Sequence, residues 1–521
     1  MRAPFALILA LVGVPAFAAG PVEDKGIAEL AADMATGRIT SEAAVSSYLE
    51  LIAEIDDAGP MLGAVIATMP DALAEARARD AERKAGMIRG PLHGVPILIK
   101  DNIEAAGPVP TTAGSLALKD NVTGRDATLV ARLKAAGAVI LGKTNLSEWA
   151  NIRSENSTSG WSAVGGLTRN PHMLNRNSCG SSSGSGAAMA AGLAAGTIGT
   201  ETDGSIVCPS GINGVVGFKP TLGLVSRTHI VPIAHSQDTA GPMTRSVRDA
   251  AMLLTAIAGS DPADPATADA HIHRIDYAAP LQAATLKGLR IGVLRDRIGS
   301  DPEIAKLFDA ALATMKREGA EIVEIKESRK GLEKLAEAEF TVLLHELKAD
   351  MAAYLKTLPR TVKPRSLADL IAFNKANAAA EMHWFGQDIF EAAQTKGELD
   401  DPAYASALAT SKKLAGPEGI DRLLREHKVD LLAGVTNGPA WVTDLVNGDR
   451  FVPPSFSQLP AVAGYPHLTV PMGAIKALPV GLSLVGLKWS DAKVLAAGHA
   501  YEQASNKRVK PGFLPSLEAP K

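Results

Sequence analysis

Apolar positions along this chain recur at two spacings, and the switching between them predicts an α/β protein. Behind Thr40 and Ser41, the residues Val45, Tyr48, Leu49, Ile52 and Ile55 fall on one side of a helix, with a hydroxyl placed to cap its start. A second, charged helix is predicted over 72–84. The chain then passes Gly90-Pro91 into the unbroken apolar run Val95 to Ile99, which reads as a buried strand ending at Lys100. A helix over 127–136 and a strand over 139–141 follow. Further on, Ile291 to Leu294, then Ile304, Leu307, Phe308, Leu312 and Met315, then Ile322 to Ile325 read strand, helix, strand. Strand-like segments return at 431–432 and 482–485, and a last helix is predicted over 493–502.

Two stretches break the pattern. Residues 151–186 are rich in Ser, Asn and Gly, too polar for a core, yet they run straight into a small-residue helix predicted over 187–195. A linker would not do so, and ordered loops of this length usually carry function. The segment 329–427 is charged and helix-rich, and its sequence assigns no chemistry to it. No internal repeat is visible.

Composition narrows the class. With 521 residues, 46% hydrophobic and 21% charged, the chain can bury a large core. A net charge of −3 with Lys and Arg spread evenly excludes a basic stripe for nucleic acid, so a small or uncharged partner is expected. Met1-Arg2, the apolar stretch Phe5 to Val14, and Ala16-Phe17-Ala18 have the form of a secretory leader, cleaved after Ala18. The run is shorter than the ~20 residues that span a bilayer. A soluble periplasmic or secreted protein, with residues 19–521 as one domain and no stable membrane insertion, is the expectation. Cys179 and Cys208 would then meet an oxidising compartment, where a pair can form a disulfide, although either could equally be a small buried filler. The 11 histidines show no metal-ligand spacing, and neither a metal nor a cofactor is expected.

Two familiar patterns match and are better read as coincidence. Gly137-Ala-Val-Ile-Leu-Gly142-Lys143-Thr144 fits a phosphate-binding loop, but its four intervening residues make a buried strand rather than a flexible loop. Gly180-Ser181-Ser182-Ser183-Gly184 fits a hydrolase nucleophile elbow, but Asn170 to Ser178 is polar where that elbow needs a hydrophobic strand.

A third pattern is longer and uses both the lysine and the serine loop. It comprises Gly94-Val-Pro-Ile-Leu-Ile-Lys100-Asp101-Asn102, Cys179-Gly-Ser-Ser-Ser-Gly-Ser-Gly186, Gly199-Thr-Glu-Thr-Asp-Gly-Ser205-Ile-Val-Cys-Pro209 and Gly214-Val-Val-Gly-Phe-Lys-Pro-Thr221. With these motifs the chain resembles the amidase signature enzymes, and most of all the peptide amidases, through 199–244 and Thr436-Asn-Gly-Pro-Ala-Trp441. The resemblance implies one large α/β domain with a mixed, twisted central sheet covered by helices. Its signature core would lie at about 90–250, and 329–427 would be variable.

The resemblance also implies roles. Lys100 ends the first motif, Ser205 is the nucleophile, and Ser181, 24 residues earlier, is the bridging serine. Backbone N–H groups of Thr202, Asp203, Gly204 and Ser205 would form the oxyanion hole, and the Gly180–Ser181 peptide would be cis. Trp441 either lines the acyl pocket or packs in the core. Three positions depart from the commoner family pattern: Glu201-Thr202-Asp203-Gly204 replaces Asp-x-Gly-Gly, Ser183 replaces Gly, and Val207 replaces Arg. Substrate preference is where these departures bear.

The chemistry fits the residue types. An amide needs an activated nucleophile and a proton for its departing nitrogen, and a neutral amine can serve where other triads use histidine. Lys100 would need burial to lose its proton near neutral pH; the alternative is that it pairs with Asp101 and stays charged. Lys219 is expected to bond neighbouring backbone, and His93, His229 and His235 to be structural or pocket-lining. The expected activity is hydrolysis of a carboxamide to acid and ammonia through an acyl-enzyme on Ser205, the substrate class including peptide C-terminal amides. The alternatives are an acylamidase releasing a substituted amine and a non-catalytic periplasmic binding protein. A glutaminase subunit of tRNA-dependent amidation is disfavoured, because export would part it from its partner.

Overall fold

The apolar run before Lys100 becomes the strand Pro96–Lys100, buried at every position. It lies between two parallel neighbours, Val139–Thr144 and Gly196–Glu201. A strand covered on both faces has no polar side to present, which is why its sequence does not alternate. Pro96 sits at its first position, where a missing N–H interrupts the ladder least.

Around this strand a computed structural model builds a mixed sheet of eleven strands, beside a two-stranded ribbon of Trp161–Ser162 with Gly166–Leu167, among the residues it describes, which are 22, 24–326, 328–451 and 454–517. The leader expected over 1–18 lies outside them. From one edge the order is Val65–Thr68, Val139–Thr144, Pro96–Lys100, Gly196–Glu201, Thr239–Thr244, Val216–Lys219, His467–Ile475, Leu478–Val485, Leu431–Val435, Arg290–Leu294 and Glu321–Ile325. Two parallel blocks, 139–144 with 96–100 with 196–201 and 431–435 with 290–294 with 321–325, flank an antiparallel centre. The α/β class with a mixed sheet is thus the observed one.

The predicted helices form close to where the spacing puts them. Ser41–Leu51 is capped by the Thr40 hydroxyl, which accepts from Ala43 N at 3.1 Å. Helices Ala72–Lys84, Thr128–Ala135, Pro302–Arg317 and Asp491–Ser505 cover the other expected spans.

Two readings need correction. The small-residue helix runs over Ser183–Ala191, not 187–195, and ends where Gly192 turns left-handed with φ of 77°. Its first turn is made from the serine motif itself, so residues that looked like loop are helix. Several strands also went unread, including Gly196–Glu201, Thr239–Thr244 and His467–Ile475. In the first of these, glycine is required by close packing: a Cβ on Gly199 would stand 2.7 Å from Met243 Sδ and 2.8 Å from Ser182 Oγ.

The segment 329–427 folds into helices, the longest being Leu335–Lys356. They dock on the sheet domain partly through buried charge. Arg153 is held between Glu148 and Glu381, and Tyr354 donates to Glu104 at 2.9 Å. No helix among the described residues is long and apolar enough to cross a membrane.

Candidate active site

Lys100 reaches the site because its strand ends there, with the side chain wholly buried. Its Nζ lies 2.7 Å from Ser181 Oγ, 2.9 Å from Thr200 Oγ1 and 3.3 Å from Thr200 O. Asn102 steadies the same threonine, donating from Nδ2 to Oγ1 at 2.9 Å. Burial lowers the Lys100 pKa to about 7, against the opposing pull of the Asp238 and Glu201 charges.

Asp101 does not neutralise Lys100. Its carboxylate faces the other way, taking Lys143 Nζ at 3.3 Å and the backbone and hydroxyl of Thr112. Lys143 also donates to Ile103 O at 2.8 Å and Thr111 Oγ1 at 2.7 Å. The lysine of the phosphate-loop pattern is therefore a buried structural cation on a buried strand.

The serine loop sorts itself by hydrogen bonding. Ser182 Oγ donates to Thr200 O at 3.0 Å, Ser183 Oγ to Cys179 O at 2.6 Å, and Ser185 Oγ to Ile198 O at 3.3 Å. Ser181 alone among them points its hydroxyl at Lys100. The Gly180–Ser181 peptide is cis. Gly180 tolerates no side chain, since a Cβ there would lie 2.1 Å from Ser147 Oγ.

Ser205 follows the strand Gly196–Glu201 on a turn that passes through Gly204 at φ of 79°. Ser182 N donates to Ser205 O at 3.2 Å, seating the turn on the serine loop. Ser205 is 8% exposed, and its hydroxyl has no partner among the described residues. Buried Glu201 shapes the turn from below: its Oε2 accepts from Ile206 N at 2.7 Å and Val207 N at 3.0 Å. The N–H groups of Thr202, Asp203 and Ser205 donate to no protein acceptor among the described residues, as a site for a developing negative oxygen requires.

A disulfide between Cys179 and Cys208, Cα atoms 6.0 Å apart, joins the two serine segments. Trp441 packs with both cysteines, Met173 and Ile212 in one apolar cluster, and its Nε1 donates to Asp449 at 3.3 Å. The residue is 5% exposed. Lys219 does bond backbone, at Pro220 O, but it also supplies a buried positive charge beside Glu201. Of the histidines, His93 is buried against Arg79 O, and His235 gathers Glu346 and Asp350 with ligand-type atoms within 4.8 Å. Those carboxylates already accept from Ser236 N, His235 N and the Tyr404 hydroxyl, which makes the group a clasp for the helical segment.

Sequence reasoning missed Thr200 and Asn102 as supports of Lys100, and Glu339 altogether. The first two lie inside recognised motifs; Glu339 lies in the segment to which no chemistry was assigned. Two cavities adjoin the turn that leads to Ser205, one at Thr202 and one at Asp203. One of about 540 Å³ is lined by Asn102, Thr200, Thr202 and Asp238. Another of about 940 Å³ is lined by Asp203, Ser457, Gln458, Arg297 and Arg329.

A family model described as amidase matches residues 44–495. The chain is 51% identical to the native peptide amidase of Stenotrophomonas maltophilia, with a TM-score of 0.91 over 95% of this chain and 99% of that one. It is 34% identical to an amidase family protein of Bacillus anthracis, with a TM-score of 0.84 over 94% and 92% of the two chains. A probable amidase of Arabidopsis thaliana is 40% identical over 486 residues, 92% of this chain and 89% of that one. The chain belongs to the amidase family.

Proposed function

We propose that this amide hydrolase cuts a primary carboxamide through an acyl-enzyme on Ser205, with peptide C-terminal amides as its substrate class. The observation that carries the mechanism is the 2.7 Å contact between buried Lys100 and Ser181, on the loop that also seats Ser205. A neutral Lys100 has two N–H bonds for the Thr200 oxygens and one lone pair for the Ser181 hydroxyl. Lys100 takes the proton of Ser181, Ser181 takes that of Ser205, and the Ser205 oxygen attacks the carbonyl carbon. The N–H groups of Thr202, Asp203 and Ser205 receive the oxyanion, each worth roughly 3–4 kcal/mol in such sites, whereas the Gly204 N–H, expected to join them, is spent on the Glu201 carboxylate. The proton returns by the same path to the leaving nitrogen, ammonia departs, and water cleaves the ester with the relay run again.

The likeness to a solved peptide amidase supports the substrate class. A two-part experiment tests it. A fluorophosphonate should label the wild type and not Ser205→Ala, and a peptide amide should release ammonia. Labelling without ammonia, but with amine released from anilides, would replace this reading by an acylamidase.

We also propose that the protein acts after export. The leader-like residues 1–18 motivate this, and the Cys179–Cys208 disulfide supports it, since such bonds persist in oxidising compartments.

A further inference from the structure

The departure at Asp203 has a structural counterpart. Asp203 stands two residues before Ser205 and lines the cavity of about 940 Å³ together with Ser457 and Gln458. One of its carboxyl oxygens, Oδ1, is buried and has no hydrogen-bond partner. Buried acceptors are almost always satisfied, so one left without a partner on a residue that lines a cavity marks a place for a donor from outside the protein.

The surroundings say what kind of donor. Burial disfavours ionisation of Asp203, and the charge of Glu339, from the helix Leu335–Lys356, adds to that effect. Glu339 is itself fixed, accepting from Gln237 Nε2 and from Gln458 Nε2, each at 2.9 Å. Gln237 Nε2 reaches Thr202 O at 3.3 Å as well, so this acid is wired to the turn that carries Ser205. Two neighbouring buried carboxyls do not both ionise; burial raises both, and Asp203, which also faces the Glu339 charge, is pushed well above the carboxylate range. A neutral carboxyl still accepts through its carbonyl oxygen but offers no charge to a cation. Arg297 and Arg329 on the same cavity wall would repel one. What fits is a neutral N–H.

We infer that Asp203 determines specificity by accepting a backbone N–H from the acyl side of the substrate, which rests on the peptide-amide reading. The variable helical segment, through Glu339, would thereby set how the nucleophile turn reads the chain attached to the scissile amide. Members of the family with glycine at this position would lack the contact.

The test compares N-acetyl-alaninamide, which carries such an N–H, with butanamide, which does not. For wild type, Asp203→Ala and Asp203→Asn, kcat and KM are measured on both. The expected result is a fall of tenfold or more in the ratio of kcat/KM between the two amides for Asp203→Ala, expressed mainly in KM for the peptide amide. Asp203→Asn, which keeps a carbonyl oxygen, should recover part of the ratio. Equal losses on both amides, or an unchanged ratio, would overturn the role of Asp203 while leaving the peptide-amide reading in place. A wild type that hydrolyses butanamide but not the peptide amide would overturn both.

Discussion

Asp101 is joined to Lys143, 42 residues away, and not to Lys100, its neighbour in the chain. This pairing separates two buried lysines by function. Lys143 has a carboxylate beside it, whereas Lys100 has only hydroxyl and carbonyl oxygens within hydrogen-bond distance. Lys143→Met would leave Asp101 buried and unpaired, a change that costs roughly 3–5 kcal/mol. Denaturant unfolding should show that loss, and a variant as stable as wild type would contradict the pairing.

Lys100 must be neutral to accept a proton, and burial brings its pKa to about 7. The neutral form grows as pH rises, so kcat/KM should climb through pH 7 and level off above it. Below that pH the rate should fall by about tenfold per unit. A pH profile flat between 5 and 8 would exclude Lys100 as the base.

Ser181 and Ser182 are adjacent, yet only one faces the lysine. Ser181→Ala should lower kcat by roughly 10²–10⁴, the usual contribution of a positioned proton carrier. Ser182→Ala removes hydrogen bonds to Thr200 and should cost about 1 kcal/mol of stability, with a far smaller kinetic effect. Comparable kinetic losses in the two variants would dissolve the distinction.

The disulfide closes a loop spanning 29 positions and holds the serine loop to the nucleophile segment. A loop of that length predicts roughly 3–4 kcal/mol of stabilisation through the unfolded chain. Replacing both cysteines by alanine should lower the melting temperature and reduce kcat as the two serine segments loosen. If the pair forms in the exported protein, thiol labelling under denaturation without reductant should find no free cysteine.

Export has a direct readout. The N-terminus of the protein recovered from the periplasm or medium should be Ala19, one residue beyond the Ala16-Phe17-Ala18 site. An intact Met1 on cytoplasmic protein would reject the leader.

Apolar spacing was enough for the helices Ser41–Leu51, with its cap, and Pro302–Arg317, because each buries one stripe and exposes the rest. It failed for Gly196–Glu201, a strand of two glycines, two threonines, a glutamate and one apolar residue, because burial there is imposed by neighbouring strands and not by side-chain hydrophobicity. The motifs were legible as a linear signature, and they named Lys100, Ser181 and Ser205 together with the backbone turn. Their order along the chain could not say which buried lysine carries a counter-charge, which serine hydroxyls are spent on backbone, or whether two cysteines meet. Each of those depends on groups brought together across the sheet: Asp101 with Lys143, Ser182 with Thr200, Cys179 with Cys208. The same holds for Glu339, whose segment looked chemically silent until its helix set a second acid beside Asp203. Sequence determined which chemistry the chain can perform; packing decided which of its many serines, lysines and acids are left free to perform it, because hydrogen bonds and burial act between neighbours in space.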